Sequence, residues 1–175
     1  MTSNLIYSFH FMFALLVSAA SYSDLHVSKK AAKEINKTFD KEDVRLVNTL
    51  TNDIPGIEQD RLFTIYSEGN IIGYAYIGEA SSQTDTYEYL VIFDDAFGIK
   101  KAKVLVYRED YGSEIGSKRW LKQFLNKTPE DRFVYRQNIA AISGATISVK
   151  SMTNAMNNLM ISLASWQNNG KPFKS

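Results

Sequence analysis

The chain has 175 residues, 45% hydrophobic and 22% charged, and its 20 Lys plus Arg against 19 Asp plus Glu leave a net charge of +1. This composition describes one folded domain, and the near-neutral balance gives no electrostatic footprint for nucleic acid. With no cysteine and only two histidines, His10 and His26, thiolate nucleophiles and Cys-ligated metals are excluded, and the main body has no imidazole for a Ser-His-Asp relay. Redox or transfer chemistry therefore has to come from a bound cofactor or from carboxylates.

Residues 1–23 contain no Asp, Glu, Lys or Arg. Within them the apolar run Phe11 to Val17 is followed by the small residues Ser18-Ala19-Ala20-Ser21. That order is the pattern of a secretory signal peptide, and the run is short for a membrane span of about 20 residues. The leader lacks an N-terminal Lys or Arg, so a short membrane anchor stays open as the alternative. The expected organisation is a leader at 1–23 and a single domain at 24–175, exported and periplasmic or membrane-associated on the outer face.

Ser28 to Leu50 is predicted helical from Ala31, Ile35 and Phe39 at i, i+4 steps, continued by Val44, Val47 and Leu50, with Asp40 capping a second helical piece. Asn52-Asp53-Ile54-Pro55-Gly56 is turn chemistry. Leu62 to Ser67 and Ile71 to Gly78 flank the hairpin turn Glu68-Gly69-Asn70. Tyr87 to Phe93 is a third strand, Asp94 to Gly98 a turn, and Ile99 to Tyr107 a fourth strand. In that fourth strand Ala102, Val104 and Val106 share one face, with Lys101 and Lys103 on the other. Successive hairpins predict an antiparallel sheet.

Lys118 to Phe124 is helical, with Trp120, Leu121 and Phe124 at helical spacing, and Phe133-Val134-Tyr135 is a short extended piece. The clearest helix carries Met152, Met156, Leu159, Met160 and Leu163, with Gly170 and Pro172 beyond its end. The expected fold class is α+β, an antiparallel sheet of about four strands with flanking helices and a long C-terminal helix.

Immediately before that helix stands Ile142-Ser143-Gly144-Ala145-Thr146-Ile147-Ser148. Small side chains at a helix start let a phosphate approach the backbone, where the first-turn amides and the helix dipole favour negative charge. A plain helix cap with a Gly turn accounts for the same residues. Lys118, Arg119, Arg132 and Arg136 are candidates for neutralising a phosphate, and Tyr111 and Trp120 for stacking on a ring. The pairs Asp94-Asp95 and Glu109-Asp110 suit a solvated turn and loop rim better than acid–base catalysis. The Met152/Met156/Met160 stripe suits a core face.

Asn138 to Ser148, the upstream Glu109-Asp110-Tyr111-Gly112-Ser113-Glu114-Ile115-Gly116 and the Trp120-x-x-x-Phe124 helix together resemble the FMN-binding domain family over roughly residues 60–166. That family includes peripheral subunits of sodium-translocating NADH:quinone reductases and Rnf-type electron-transport complexes. The resemblance implies FMN as cofactor, bound through Ser143, Gly144, Ala145, Thr146 and Ser148, with Glu109 and Gly112 matching the family's upstream loop. Thr146 matches the Thr that a flavin transferase joins to FMN through a phosphoester. Ala140 stands where the pattern has Asp, and Asp110-Tyr111 where its loop has Thr-Pro. The implied function is an electron-relaying flavoprotein rather than a substrate-turnover enzyme, with a redox protein or a membrane electron-transport complex as partner. The alternative, favoured by Ala140, is a non-redox extracytoplasmic binding or scaffold module whose flavin site has degenerated.

Overall fold

The structure, a computed structural model, describes residues 27–42, 44–51 and 54–169. The expected leader, both histidines, Asn52-Asp53, Gly170 and Pro172 lie outside the described residues.

Five strands form an antiparallel meander in sequence order: β1 Arg45–Asn48, β2 Leu62–Ser67, β3 Asn70–Ser81, β4 Thr86–Phe93 and β5 Ile99–Val106. The β2–β3 hairpin turns on Glu68-Gly69, whose φ angles of 53° and 82° make it the primed turn that matches strand twist. Helix α1 (Lys29–Phe39) covers one sheet face and α3 (Thr146–Asn168) the other. With both faces covered, the inner strand β4 is buried almost throughout. That is why its Leu90-Val91-Ile92-Phe93 run is continuously apolar rather than alternating.

The fold class is as expected, with two local corrections. The predicted helix over Ser28 to Leu50 ends at Phe39, where Asp40 adopts φ 53° as the C-terminal cap of α1. Arg45–Asn48 is instead a fifth strand at the sheet edge, pairing β2 from Arg45↔Tyr66 to Asn48↔Phe63. Val44 and Leu46 are buried while Arg45 is exposed, so the period there is two and the helical steps were coincidental. Val106 leaves the face of Ala102 and Val104. A bulge pairs Glu88 with Val106 but Tyr89 with Val104, sending Leu105 and Val106 to the α1 side.

Between β5 and α3 a long crossover packs onto the end of the α3-side core. It holds a 3-10 turn (Ser113–Gly116), helix α2 (Lys118–Leu121) and a second 3-10 turn (Lys122–Phe124). Phe124 meets Trp120 and Phe133 edge-on, at centroid distances of 5.4 and 5.0 Å. Asn157 of α3 accepts from the Phe133 N–H (2.9 Å) and donates to its carbonyl (2.7 Å). Tyr135 forms only a single bridge with Ile139, so the extended piece expected there is minimal. Met152, Met156, Leu159, Met160 and Leu163 are all buried, so the methionine stripe is core.

Candidate functional site

The Ser143-Gly144 turn delivers the chain into α3. Gly144 has φ 75°, a conformation a side chain resists, and the Ala145 N–H closes the turn on the Ile142 carbonyl at 3.2 Å. Ala145 is the N-cap residue, and no side chain caps the helix. The first helical bond runs from the Val149 N–H to the Ala145 carbonyl. Among the described residues the amides of Thr146, Ile147 and Ser148 therefore have no acceptor. The first turn also holds no acidic residue, so the positive end of a 23-residue helix is left uncompensated. The simple capping reading of this segment is not realised, because the cap that would satisfy these amides is missing.

Gly112 brings the upstream loop against this turn. It has φ 76°, and a Cβ placed on it would stand 2.3 Å from the Ala145 Cβ. The Tyr107 hydroxyl fastens the contact, donating to the Tyr111 carbonyl at 3.2 Å and lying 3.1 Å from the Ser148 Oγ. Tyr87, whose hydroxyl burial pushes well above the usual tyrosine range, stays protonated and donates to the Ser148 carbonyl at 2.7 Å. Ser148 is thus buried and engaged by Tyr107. Its hydroxyl latches the loop to the helix.

Two clefts flank the turn. The first, about 370 Å³, is lined by Thr84, Tyr107 to Tyr111, Gly144, Ala145, Ile147 and Ser148, together with Gln83. Tyr111 and Ile147 are 79% and 46% exposed there. Only five large hydrophobic side chains among the described residues are exposed, and two of them stand together at this otherwise largely polar cleft. The second cleft, about 430 Å³, is lined by Glu114, Ser117, Arg119, Trp120, Lys122, Gln123 and Ala140 to Ser143. Thr146 is exposed at the first position of α3, between residues that line the first cleft.

Glu109 reaches the β3–β4 turn instead of the helix start. Its carboxylate accepts from the Thr84 N–H at 2.8 Å and from the Thr84 hydroxyl at 3.0 Å. The nearby Ser82 hydroxyl and the Thr84 and Asp85 amides hold its carboxyl below the usual range. The Ser82 hydroxyl donates to the Asp85 carbonyl at 2.8 Å, so Thr84 carries the tether. A stable anion here positions the loop. Ala140 is held by its backbone, its N–H bonding Gln123 Oε1 at 2.6 Å and its carbonyl accepting from Trp120 Nε1 at 2.8 Å. Trp120 is consequently a core and clamp residue, and Tyr111 is the aromatic left open.

Of the expected cations only Arg119 lines either of these two clefts. Lys118 is exposed on α2, Arg132 donates to the Pro129 and Asp131 carbonyls, and Arg136 lies over the Tyr135 ring. Sequence reasoning missed Arg108, Ile147 and Gln123. Arg108 lines the first cleft but leans on Asp85 and Glu88. Its place directly before Glu109 was the available signal. Asp94 accepts from the Ala96 and Gly98 amides, and so builds its turn, as expected.

A phosphate needs donors and an approach free of side chains, and the unpaired amides behind Gly144 supply both. The residues present fit FMN. The family model described as FMN-binding domain matches residues 62–160. None of the curated proteins matches the chain. Among solved structures, the crystal structure of Shewanella oneidensis NqrC is similar with a TM-score of 0.50 and 18% identity, covering 71% of this chain and 68% of that one. At that identity the likeness is one of fold. The family match spans more than half of the chain and contains the whole of the turn, so this chain belongs to the FMN-binding domain family, with FMN as its cofactor.

Proposed function

We propose that this chain is an exported flavoprotein that relays electrons, with the FMN phosphate carried on Thr146. The observation behind this reading is the start of α3, where an exposed Thr146 hydroxyl sits beside three amides that lack acceptors. FMN when bound supplies one- and two-electron chemistry, and the protein supplies attachment, orientation and local charge. The amides of Thr146, Ile147 and Ser148 hold the phosphate, and the helix dipole offsets its charge. Tyr111 and Ile147 give the ring an apolar rest, and the Tyr107 hydroxyl keeps loop and helix in register.

Attachment requires Thr146 Oγ1 to form a bond to the FMN phosphorus of FAD while the pyrophosphate P–O bond breaks. AMP leaves, and the hydroxyl proton passes to a base of the flavin transferase. Export is supported by the uncharged leader with its run Phe11 to Val17. No helix among the described residues is long and apolar enough to cross a membrane. Electrons are exchanged with a redox protein or a membrane electron-transport complex.

Thr146→Ala tests the reading. Protein from the native host is yellow and fluoresces in a denaturing gel, and the variant loses that fluorescence while melting like wild type, since Thr146 is exposed. If binding is noncovalent, the gel is dark for both proteins and the variant loses FMN affinity by roughly one to two decades, the effect of one charge-assisted hydrogen bond. Unchanged flavin content in Thr146→Ala refutes the proposal. A colourless wild-type protein from that host favours the scaffold module instead.

A further inference from the structure

The outer face of α1 carries Lys29, Lys33 and Lys37 at i, i+4 spacing with Lys30 beside them, and all four are exposed. This arrangement works against the helix. Like charges at that spacing repel, and two first-turn lysines oppose the positive end of the dipole, where no acidic residue is present. The neighbouring strand adds Lys101 and Lys103, whose Nζ atoms lie 2.6 and 4.0 Å from Glu34. One carboxylate thus serves two lysines, while Lys29, Lys33 and Lys37 form no ion pair among the described residues. The chain as a whole is only +1, so this face is a local excess of cations.

The fold uses only part of that charge: Lys30 donates to the Leu105 carbonyl and Lys101 pairs with Glu34, which leaves Lys29, Lys33 and Lys37 facing outward. Ala31 and Ile35 hold α1 to the sheet from its opposite side, and the helix precedes residue 62, where the family match begins. We propose that this lysine face docks on the anionic phospholipid headgroups of a bilayer. Every cation named is Lys and none is Arg. Mobile ammonium groups suit a diffuse anionic surface, whereas a shaped protein or phosphate pocket favours the planar fork of Arg. Eleven residues lie between the end of the apolar run at Val17 and Lys29, and that many extended residues reach at most about 40 Å. Retained as the short anchor that the sequence also allows, the run places a bilayer within reach of the lysines. Because α1 and α3 cover opposite sheet faces, docking turns the start of α3 away from the headgroups.

The full chain is sedimented with vesicles of phosphatidylcholine alone and of equal parts phosphatidylcholine and phosphatidylglycerol. Any contribution from the apolar run is common to both, so the ratio of the two partition coefficients isolates charge. Wild type prefers the phosphatidylglycerol vesicles, and the preference fades as salt shortens the Debye length from about 30 Å at 0.01 M to about 3 Å at 1 M. Lys29→Gln/Lys33→Gln/Lys37→Gln lowers the ratio on the order of a hundredfold, at about fivefold per lysine. The matching triple Lys→Arg variant keeps it. The Gln variant melts at or above wild type because helix repulsion is relieved. Wild type indifferent to phosphatidylglycerol, as an acidic protein partner would leave it, overturns the proposal, and so does a Gln variant that keeps the full preference.

Discussion

The two faces of the sheet are built on different scales. Under α3 the strands present Tyr74, Tyr89 and Phe93, joined by Phe97, Trp120, Phe124, Phe133 and Trp166 in one continuous core. Under α1 they present mainly aliphatic side chains, Ile65, Ala75, Leu90 and Ile92 among them, and the helix contributes Ala31 and Ile35. The larger core runs into the crossover and reaches the Ser143-Gly144 turn, so the geometry at the start of α3 is fixed from several directions. The smaller core holds one helix, which is expected to loosen without disturbing that turn. Site precision comes with the aromatic face, and a single charged helix with the other.

Truncation on each side is the strongest way to break this contrast. Met156→Ala empties a fully buried position in α3 and is expected to destabilise the whole domain by about 3–4 kcal/mol. Ile35→Ala is expected to cost about 2–3 kcal/mol, expressed largely as local release of α1. Hydrogen exchange separates the two, with α1 amides accelerating alone in Ile35→Ala and α3 amides following the global transition in Met156→Ala. Equal acceleration of α3 in both variants would erase the distinction between the faces.

Gly112→Ala sharpens it at the site. The new Cβ meets the Ala145 Cβ and the backbone keeps a positive φ, at a cost of about 1–3 kcal/mol. Flavin retention is expected to fall with it, measured against Gly116→Ala, where a Cβ would find 3.8 Å of clearance from Val104. A Gly112→Ala protein with undiminished melting temperature would show that the loop yields freely.

The smallest effect is electrostatic and confined to the loop. Glu109 is half-buried and its carboxyl titrates below the ordinary 4.5. A lowered folded-state value means that the Thr84 tether is fully present above about the ordinary value and is lost as pH falls through the folded one. The Thr84 amide resonance should therefore titrate with a midpoint below 4.5, and Glu109→Gln should abolish that titration. A midpoint at or above the ordinary value would mean that the tether does not form in solution.

Much of this was legible in the sequence where local pattern and tertiary context agree. The hairpin at Glu68-Gly69, the strands on either side, and the period of Met152 to Leu163 were set by short-range chemistry, and the Ser-Gly-Ala-Thr segment stood out by its small residues before a helix. The misses came where two periods fit the same letters, and the sequence was silent where a distant partner engages a side chain. Val44, Val47 and Leu50 suit a helix until β2 offers its edge, and Val106 changes face through a bulge that no residue announces. Ser148 and Glu109 carry oxygens suited to a ligand. Their engagement by Tyr107 and Thr84 follows from packing across 41 and 25 residues of chain, which no local motif encodes.

The clamp on Ala140 has a consequence of another kind. Gln123 and Trp120 grip its amide and carbonyl, and its side chain projects from an exposed position. The fold therefore has no stake in which side chain that is. Folding selection, which polices Gly112 and the aromatic core, is blind at position 140, and the Asp of the family pattern can be lost or regained there by single substitutions without an unstable intermediate. Under the proposed function, what governs that residue acts through the flavin attachment proposed at Thr146, six residues on, so a lineage could drift in and out of that chemistry while its scaffold stays the same.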